Sequence, residues 1–326
     1  VKSMFKQYCA NDSNKSNIIL TLEMFKDEMQ LRYDSMVQRG IYNYFEDESL
    51  EPVFLLIDEY LYGVVPEEMP ASWNIEALKA QAVAARTFAL YDKLDRKHTK
   101  EGFDVCVTTD CQVYGGMDSE AATTNKAIDA TKGEVIVYLN QPICSVFHAA
   151  SGGQTDDSIN VWNVNVPYLR AVEDKEEQSP YQSWAVSVTV DNLSKSIKNS
   201  YSDIGTIKEI DFSGLKKNPN KASKPQVVKF IGSNKKSVEL TKTQLRSLLG
   251  LKSSNFTIEL EGNKKAKGDT LKIDKDDKKL IFKGSGFGHR LGMSQWGAKS
   301  LADKGKKYQQ ILYHYYSDVN IKDMYK

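Results

Sequence analysis

The residues best suited to acid–base chemistry are two adjacent carboxylates, Glu67 and Glu68, in the sequence GVVPEEMP. Proline flanks the pair on both sides, at Pro66 and Pro70. Because proline does not fit a helix interior, the sequence predicts that both glutamates lie on a turn. Neighbouring side chains on a turn point apart. One carboxyl, rather than two, is therefore expected to act on a given bond.

An alanine-rich segment follows the two glutamates and is predicted to form a buried helix. Its apolar residues recur every three or four positions and form one face: Ile75, Leu78, Ala82, Ala85 and Ala89. Ser72 or Asn74 is suited to cap its first turn. Lys79 and Arg86 are seven residues apart and share one stripe of the helix. Two cations on a buried helix indicate a polar cleft, although exposed charges are the commoner arrangement for such spacing.

A second set of reactive residues consists of cysteines and histidines. Cys106 and Cys111 have the spacing C-x4-C and follow His98. Cysteine and histidine are the usual ligands of structural zinc, and we expect His148 as the fourth ligand, with Cys144 as its alternative. A Cys106–Cys111 disulfide and free buried thiols are the other interpretations. A Cys–His peptidase is disfavoured, since neither cysteine stands at an evident helix start beside a base.

The positioning elements follow from periodicity and turn residues. We predict a strand or turn over 53–61, a helix over 119–131 and a β-hairpin with arms 134–139 and 143–148. Helices are also predicted over 294–304 and 308–316. Ser151 belongs to a Ser-Gly-Gly turn that is expected to border the cleft.

Composition changes along the chain define three predicted parts. Residues 1–50 form an N-terminal extension, and residues 51–183 with 284–326 form the core domain. Residues 184–283 are rich in Lys, Ser and Asn and contain short alternating stretches, which predict a smaller inserted β-rich domain. The predicted fold is α+β, with a cleft-bearing core built around the buried alanine-rich helix.

A glycine-rich loop, GSGFGHRLG, begins at Gly284. It does not match the dinucleotide fingerprint G-x-G-x-x-G, and no βαβ unit precedes it. The glycines are suited to a tight turn or to close approach of a sugar chain. His289 in this loop is a candidate cleft residue, or it makes a structural hydrogen bond.

Composition excludes some functions. The chain has 326 residues and a net charge of +1, which give no electrostatic basis for nucleic-acid binding. Its mean hydropathy of −0.49 and lack of a long apolar run exclude a membrane span within it. The chain begins at Val1 rather than Met, so we expect an upstream segment.

Four stretches together resemble one protein family. They are GVVPEEMPASWNIEALKAQAVAARTFAL, DCQVYGG, FHAASGGQT and GSGFGHRLGMSQWGAKSLA. The chain resembles the stage II sporulation protein D family of peptidoglycan lytic transglycosylases, whose wider group includes amidase enhancers. The resemblance extends from about residue 58 to 322 and is weakest over 187–279. It departs at Arg290, where the family usually has glycine, which leaves the local backbone conformation open.

The resemblance implies roles for particular residues. Glu68 matches the catalytic acid, and Lys79 and Arg86 match functionally important cations. Tyr168 in VPYL and Tyr138 match cleft residues. A general acid needs a raised pKa, whereas nearby cations lower it. We therefore expect the cations to hold substrate, such as the lactyl carboxylate of muramic acid.

The implied activity is cleavage of peptidoglycan glycan strands, preferably stripped of stem peptides, to leave 1,6-anhydro-N-acetylmuramic acid ends. The implied setting is spore engulfment outside the cytoplasm, between mother cell and forespore, with an N-terminal membrane anchor. The implied partners are a cell-wall amidase and a membrane-anchored member of the engulfment machinery. Zinc is expected to be structural and not required for catalysis. The rival hypothesis is a non-enzymatic enhancer of that amidase.

Overall fold

The computed structural model describes residues 55–95, 98, 100, 103–108, 110–216, 224–262 and 264–324. The predicted extension, residues 1–50, lies outside the described residues. The fold is mixed α+β, which confirms the predicted class. Within the described residues, no helix combines the length and apolar character needed to cross a bilayer.

The α-helices of the described residues are α1 (Ile57–Glu68), α2 (Ile75–Asp95), α3 (Ala122–Asp129), α4 (Ser158–Trp162), α5 (Val190–Ser200), α6 (Lys242–Leu249), α7 (Gln295–Asp303) and α8 (Tyr308–Tyr315). The strands are β1 (Glu134–Tyr138), β2 (Gln141–Pro142), β3 (Phe147–His148), β4 (Trp184–Thr189), β5 (Ile207–Asp211), β6 (Val227–Gly232), β7 (Ser237–Thr241), β8 (Phe256–Leu260), β9 (Thr270–Lys272), β10 (Lys279–Gly284), β11 (Met293–Ser294) and β12 (Asn320–Asp323). Short 3₁₀ turns occupy Met117–Ser119 and Ser213–Leu215.

The chain divides into two compact units. The first comprises the residues up to Cys144 together with those from Asn320 onward, and the second runs from Ser145 to Val319. The second unit contains a hydrophobic cluster whose buried members all fall between Trp184 and Phe282. The predicted domain boundaries at 184 and 283 were drawn from changes in composition, whereas the two units are defined by compactness. Those boundaries therefore stay a prediction.

Helix α2 forms the centre of the first unit. Asn74 caps it, because its Oδ1 accepts a hydrogen bond from the backbone N–H of Glu76 (3.0 Å). The buried alanines of α2 are Ala77, Ala80, Ala82, Ala84, Ala85 and Ala89. Such small side chains let α1, α3 and β1 pack close to the helix. Thr87 Oγ1 accepts from the N–H of Ile136 (2.9 Å), which ties α2 to β1.

The sheet of the first unit differs from the predicted hairpin. Strand β1 pairs antiparallel with β2 at only two positions, where Val137 lies opposite Pro142 and Tyr138 lies opposite Gln141. Its longer partner is β12, with Glu134 opposite Asp323. Strand β3 belongs to the second unit, where it pairs in parallel with β11. The second predicted arm, 143–148, was wrong: β2 covers only 141–142, and 147–148 pairs with β11 instead. The alternation of apolar residues indicates a strand but does not reveal which strand it pairs with.

Helix α1 also differs from its prediction. Residues 57–61 are helical rather than extended, and α1 continues through Pro66 to Glu68. An interior proline removes one helix hydrogen bond and costs roughly 3 kcal/mol. The apolar side chains of Leu61, Val64 and Val65 are fully buried, and their burial offsets that cost.

The described residues of the second unit form three sheets. Strands β4, β10 and β8 form an antiparallel sheet, and β7, β6, β5 and β9 form another. The third is the two-stranded pair β3–β11. Helix α6 has a capping box at Thr241 and ends at Gly250 in the left-handed conformation. Helices α7 and α8 confirm the two helices predicted near the C-terminus.

Candidate functional site

The two glutamates lie on the last turn of α1, not on a turn between prolines. Glu67 is exposed, Glu68 is half-buried and Met69 is fully buried. The N–H of Met69 donates to the carbonyl of Val65 (2.9 Å) and closes the helix. Adjacent helical residues point about 100° apart. Only one of the two carboxyls therefore faces a given bound molecule from this helix end.

The segment Gln112–Gly116 packs directly on α1. The N–H of Gly115 donates to the carbonyl of Gly63 (2.9 Å). A Cβ on Gly63 would lie 2.5 Å from Cε2 of Tyr114, and a Cβ on Gly115 would lie 2.5 Å from Oε1 of Glu67. The ring of Tyr114 therefore requires glycine at position 63, and Cβ of Ser119, 2.8 Å from a Cβ at position 115, favours glycine there.

Tyr60 on α1 lies between the helix end and the cysteine cluster. Its ring stacks on Tyr114 with centroids 5.4 Å apart. Burial raises the pKa of Tyr60, and negative charge on Cys111, Cys106 and Glu68 raises it further. The phenol therefore stays protonated at physiological pH. Sequence analysis missed Tyr60 because the segment was predicted to be a strand or turn.

Arg86 is a structural residue in this unit. Its side chain is 1% exposed, and its Nε donates to Asp58 Oδ1 at 2.7 Å. Its two terminal nitrogens donate to the carbonyls of Glu134 (3.1 Å) and Ile128 (3.3 Å). A guanidinium held in this way joins α2 to α1, α3 and β1. The expected substrate-binding role of Arg86 is therefore replaced by a structural one.

Lys79 has a different environment from Arg86. It is 22% exposed and pairs with Glu76 one turn earlier on α2, with an Nζ–Oε1 distance of 3.2 Å. The two cations on this stripe of α2 therefore differ: Arg86 is buried and joins several elements, whereas Lys79 is half-buried and pairs with Glu76. Lys79 remains a candidate for contact with substrate.

Four side chains form a candidate metal centre in the first unit: His98, Cys106, Asp110 and Cys111. Their ligand atoms all lie within 4.8 Å of one another. Nε2 of His98 is 3.1 Å from Sγ of Cys111 and 3.6 Å from Oδ2 of Asp110. Cys106 and Cys111 are free thiols, so the structure shows no disulfide between these two residues. Two thiols, an imidazole and a carboxylate fit the ligand preferences of zinc.

Asp110 takes the place that sequence analysis gave to His148. His148 belongs to the second unit, where its Nδ1 donates to the carbonyl of Leu291 (3.2 Å). Burial, followed by neighbouring positive charge on His289, lowers the pKa of His148 well below its usual value. Asp110 is adjacent to Cys111 in the sequence, and this position could have identified it as a ligand. It was missed because only cysteine and histidine were considered as ligands.

His289 makes the structural hydrogen bond that was one of its two expected roles. Its Nδ1 accepts from the N–H of Leu291 (3.0 Å), and its ring lies tilted against His148 at 5.4 Å. Burial lowers the pKa of His289 to about 4. Both imidazoles are therefore neutral at physiological pH.

Ser151 is fully buried and belongs to a carboxylate network that sequence analysis missed. Its Oγ donates to Asp174 Oδ2 (2.9 Å), and its N–H donates to Glu177 Oε2 (2.6 Å). Tyr315 OH donates to Asp174 Oδ1 (3.0 Å), and Ser294 Oγ donates to Glu177 Oε2 (2.7 Å). Burial and the charge of Glu177 raise the pKa of Asp174 to about 6. Ser151 thus anchors its turn instead of facing a cleft.

Arg290 occupies the position where the family usually has glycine. Its φ of +66° is the left-handed conformation that glycine adopts easily. The backbone conformation left open by the sequence is therefore the one that glycine would favour. The guanidinium donates to the carbonyls of Ser151 (2.9 Å) and Gln154 (2.6 Å) and pairs with Asp156 (3.4 Å).

The two predicted cleft tyrosines lie in different units. Tyr138 is half-buried at the end of β1, opposite Gln141. Tyr168 is half-buried in the second unit, where its carbonyl accepts from the N–H of Ser317 (3.2 Å). Their contribution to a cleft stays a prediction.

Comparisons with known proteins identify the family. Residues 53–138 match the family model described as stage II sporulation protein. A stage II sporulation protein D of Bacillus amyloliquefaciens is 31% identical over 82% of this chain and 74% of its own length. The chain belongs to the stage II sporulation protein D family. The resemblance found in the sequence is thereby confirmed.

Two further proteins are similar to the chain. An uncharacterized protein of Brachyspira hyodysenteriae is 37% identical over 82% of the chain and 67% of its own length. A Bacillus subtilis protein named amidase enhancer is 34% identical over 78% of the chain but only 39% of its own length. The chain thus corresponds to less than half of that relative.

The family model covers α1, α2, α3 and β1, together with all four candidate metal ligands. The candidate acid and the candidate metal centre therefore both lie within the residues that the family model matches. The buried carboxylates of the second unit lie outside that range.

Proposed function

We propose that this chain is a lytic transglycosylase that cleaves peptidoglycan glycan strands during sporulation. The observation that carries the proposal is the half-buried carboxyl of Glu68 at the end of a helix whose other side is fully packed. Membership of a sporulation protein family supports the setting. The cell wall is the polymer whose remodelling such a setting requires.

The proposed reaction needs only one carboxyl group. Glu68 gives its proton to the glycosidic oxygen, and the bond from that oxygen to C1 of muramic acid breaks. The Glu68 carboxylate then takes the proton of the 6-hydroxyl of the same sugar, and that oxygen bonds to C1. The products are a 1,6-anhydro end and a strand with a free hydroxyl. No water enters, which distinguishes the reaction from two-carboxylate hydrolysis.

The structure also bears on the requirement that a general acid has a raised pKa, which nearby cations would lower. Arg86 is committed to Asp58, and Lys79 pairs with Glu76. In this proposal Lys79 contacts the glycan, and Arg86 does not.

The test is product analysis with purified, peptide-free glycan strands. We expect mass spectrometry to show ends lighter by one water than the reducing ends of hydrolysis. Glu68→Ala should remove these products, whereas Glu67→Ala should retain them. Reducing ends would indicate a hydrolase, and unchanged anhydro products from a folded Glu68→Ala protein would overturn the role of Glu68.

A second candidate function is enhancement of a cell-wall amidase without glycan cleavage. The similarity to the Bacillus subtilis protein named amidase enhancer favours it. In that case purified chain should release no glycan fragments but should increase amide cleavage by the amidase. Equal enhancement by the Glu68→Ala variant would support this function over the first.

For the setting of the activity, we propose that the chain acts outside the cytoplasm, anchored to the membrane by a segment beyond its own N-terminus. It works there on strands from which an amidase has removed the stem peptides, beside a membrane-anchored engulfment protein.

We further propose that His98, Cys106, Asp110 and Cys111 hold a structural zinc ion. Zinc at this position would hold His98, Cys106, Asp110 and Cys111 together, and the acid chemistry of Glu68 does not require it. Protein purified without a metal-affinity column should contain about one zinc per chain. Cys111→Ser should lose the metal, and His148→Ala should keep it. Metal-free wild-type protein would overturn the assignment.

A further inference from the structure

A recess in the second unit has no role in the acid site described above. It has a volume of about 310 Å³ and is lined by Arg246, Ser247, Gly250, Leu251, Lys252 and Phe287. Ligand pockets in proteins start at about 300 Å³, so this recess is suited to one small group such as a single sugar ring.

Phe287 presents an exposed ring on a fixed backbone. Its side chain is 41% exposed. Its N–H donates to the carbonyl of Ala150 (2.8 Å), and its carbonyl accepts from the N–H of Ala150 (3.0 Å). Gly286 and Gly288 flank it with φ values of +84° and +107°. The glycine-rich loop thus holds the phenyl ring in place, although most large apolar side chains of its unit are buried.

Tyr181 supports the Phe287 ring from one face. Its ring stacks on Phe287 with centroids 4.8 Å apart and planes 28° from parallel. The carbonyl of Tyr181 accepts from the N–H of Gly286 (2.7 Å), so the backbone of both aromatic residues is fixed. Tyr181 thus supports one face of the Phe287 ring, and Phe287 itself lines the recess. The C–H face of a pyranose ring packs well on a preordered aromatic face of this kind.

Two cations line the same recess. Arg246 on α6 is half-buried, and its Nε donates weakly to the carbonyl of Lys252 (3.4 Å). Burial lowers the pKa of Arg246, and no carboxylate among the described residues offsets that effect. Lys252 is exposed beside it. A guanidinium without an acidic partner is well suited to bind a carboxylate by two parallel hydrogen bonds.

We propose that this recess is a subsite for a sugar residue that carries a carboxylate. The pyranose face packs on Phe287, and the carboxylate binds Arg246 and Lys252. Among glycan-strand sugars, muramic acid without its stem peptide has this chemistry, through its lactyl carboxylate. This choice of ligand rests on the proposed function. The subsite would explain a preference for strands stripped of peptide, because amide-linked lactyl groups carry no charge.

The test uses the full chain with Glu68→Gln, so that the ligand survives the measurement. The probe is a peptide-free N-acetylglucosamine–N-acetylmuramic acid tetrasaccharide, compared with the same tetrasaccharide as its methyl esters. We expect calorimetry to show about tenfold weaker binding of the acid by Arg246→Gln, with little change for the ester. Phe287→Ala should weaken both ligands about fivefold, and Phe287→Trp should restore them.

Matched surface variants serve as controls. Tyr313→Ala removes an exposed ring elsewhere in the unit, and Lys195→Gln removes an exposed cation on α5. Neither should change the affinity of either ligand. Equal binding of acid and ester by the parent, or parental affinity in both Phe287→Ala and Arg246→Gln, would overturn the subsite. Failure of the proposed function would appear separately, as undiminished cleavage by the Glu68→Gln parent.

Discussion

Each unit of the molecule holds a pair of carboxyl groups close together in sequence, and the two pairs have opposite surroundings. Glu67 and Glu68 end a helix in the first unit, one exposed and one half-buried. Asp174 in the second unit is 2% exposed, and hydroxyl groups satisfy both of its oxygens. Glu177 accepts from the N–H groups of Ser151 and Gly152.

This difference shows that a raised pKa does not by itself mark a catalytic acid. Asp174 has a pKa of about 6, a value suited to acid catalysis near neutral pH. Its carboxyl nevertheless has no route to a substrate, since it is buried and binds Ser151 and Tyr315. A catalytic acid must also reach the bond that it protonates, and Glu68 meets that requirement better.

The largest expected effect is on the rate of glycan cleavage. Glu68→Gln should lower the rate about 10²- to 10⁴-fold, the usual contribution of a positioned general acid. Glu67→Gln and Asp174→Asn should change it only a few-fold while the protein remains folded. The measurement is release of anhydro-ended fragments over time. A loss in Asp174→Asn as large as that in Glu68→Gln would reverse the comparison.

The same contrast between buried and half-buried groups applies to the cations of α2. Arg86→Met should lower the free energy of unfolding by about 3–5 kcal/mol, because it leaves Asp58 buried without its charge partner. Lys79→Met should change it by less than about 1 kcal/mol. Urea unfolding followed by circular dichroism measures both. Normal stability in Arg86→Met, with only glycan binding lost, would restore the substrate-binding role of Arg86.

The buried carboxyl should make stability depend on pH. The pKa of Asp174 rises from 3.8 to about 6 on folding, so the folded state retains a proton that the unfolded state releases between these values. The free energy of unfolding should therefore fall by roughly 2 kcal/mol as pH rises from 4 to 7. Asp174→Asn should flatten this dependence, whereas the exposed Asp303→Asn should not. An unchanged pH profile in Asp174→Asn would argue against a buried, protonated carboxyl.

The smallest expected effect separates backbone conformation from side-chain bonding at Arg290. Both Arg290→Gly and Arg290→Ala should lose the bonds to Ser151 and Gln154. Arg290→Ala should be the less stable of the two by about 1 kcal/mol, because alanine resists a positive φ. Thermal unfolding resolves a difference of this size. Equal stability of the two variants would mean that the loop relaxes when the guanidinium is removed.

Local signals in the sequence predicted several elements well. The cap at Asn74 and the apolar period from Ile75 located the start of α2. Turn residues around α7 and α8 located both helices. The C-x4-C spacing with His98 identified three of the four clustered metal-ligand candidates. Each of these features depends on residues near one another in the chain.

Features that depend on distant contacts were not predicted. Pro66 indicated a turn, yet the burial of α1 outweighed the local preference of proline. Arg86 resembled a cleft residue because nothing local reveals Asp58, which is 28 residues earlier. Asp174 and Tyr315 are 141 residues apart, and only the folded chain brings them together.

The glycines at positions 63 and 115 have a practical consequence for engineering. Gly63 makes room for the ring of Tyr114, and Gly115 lies against the carboxyl end of Glu67 and against Ser119. The two segments are therefore complementary surfaces and cannot be varied independently. Anyone who transplants the end of α1 into a new scaffold must move both segments together.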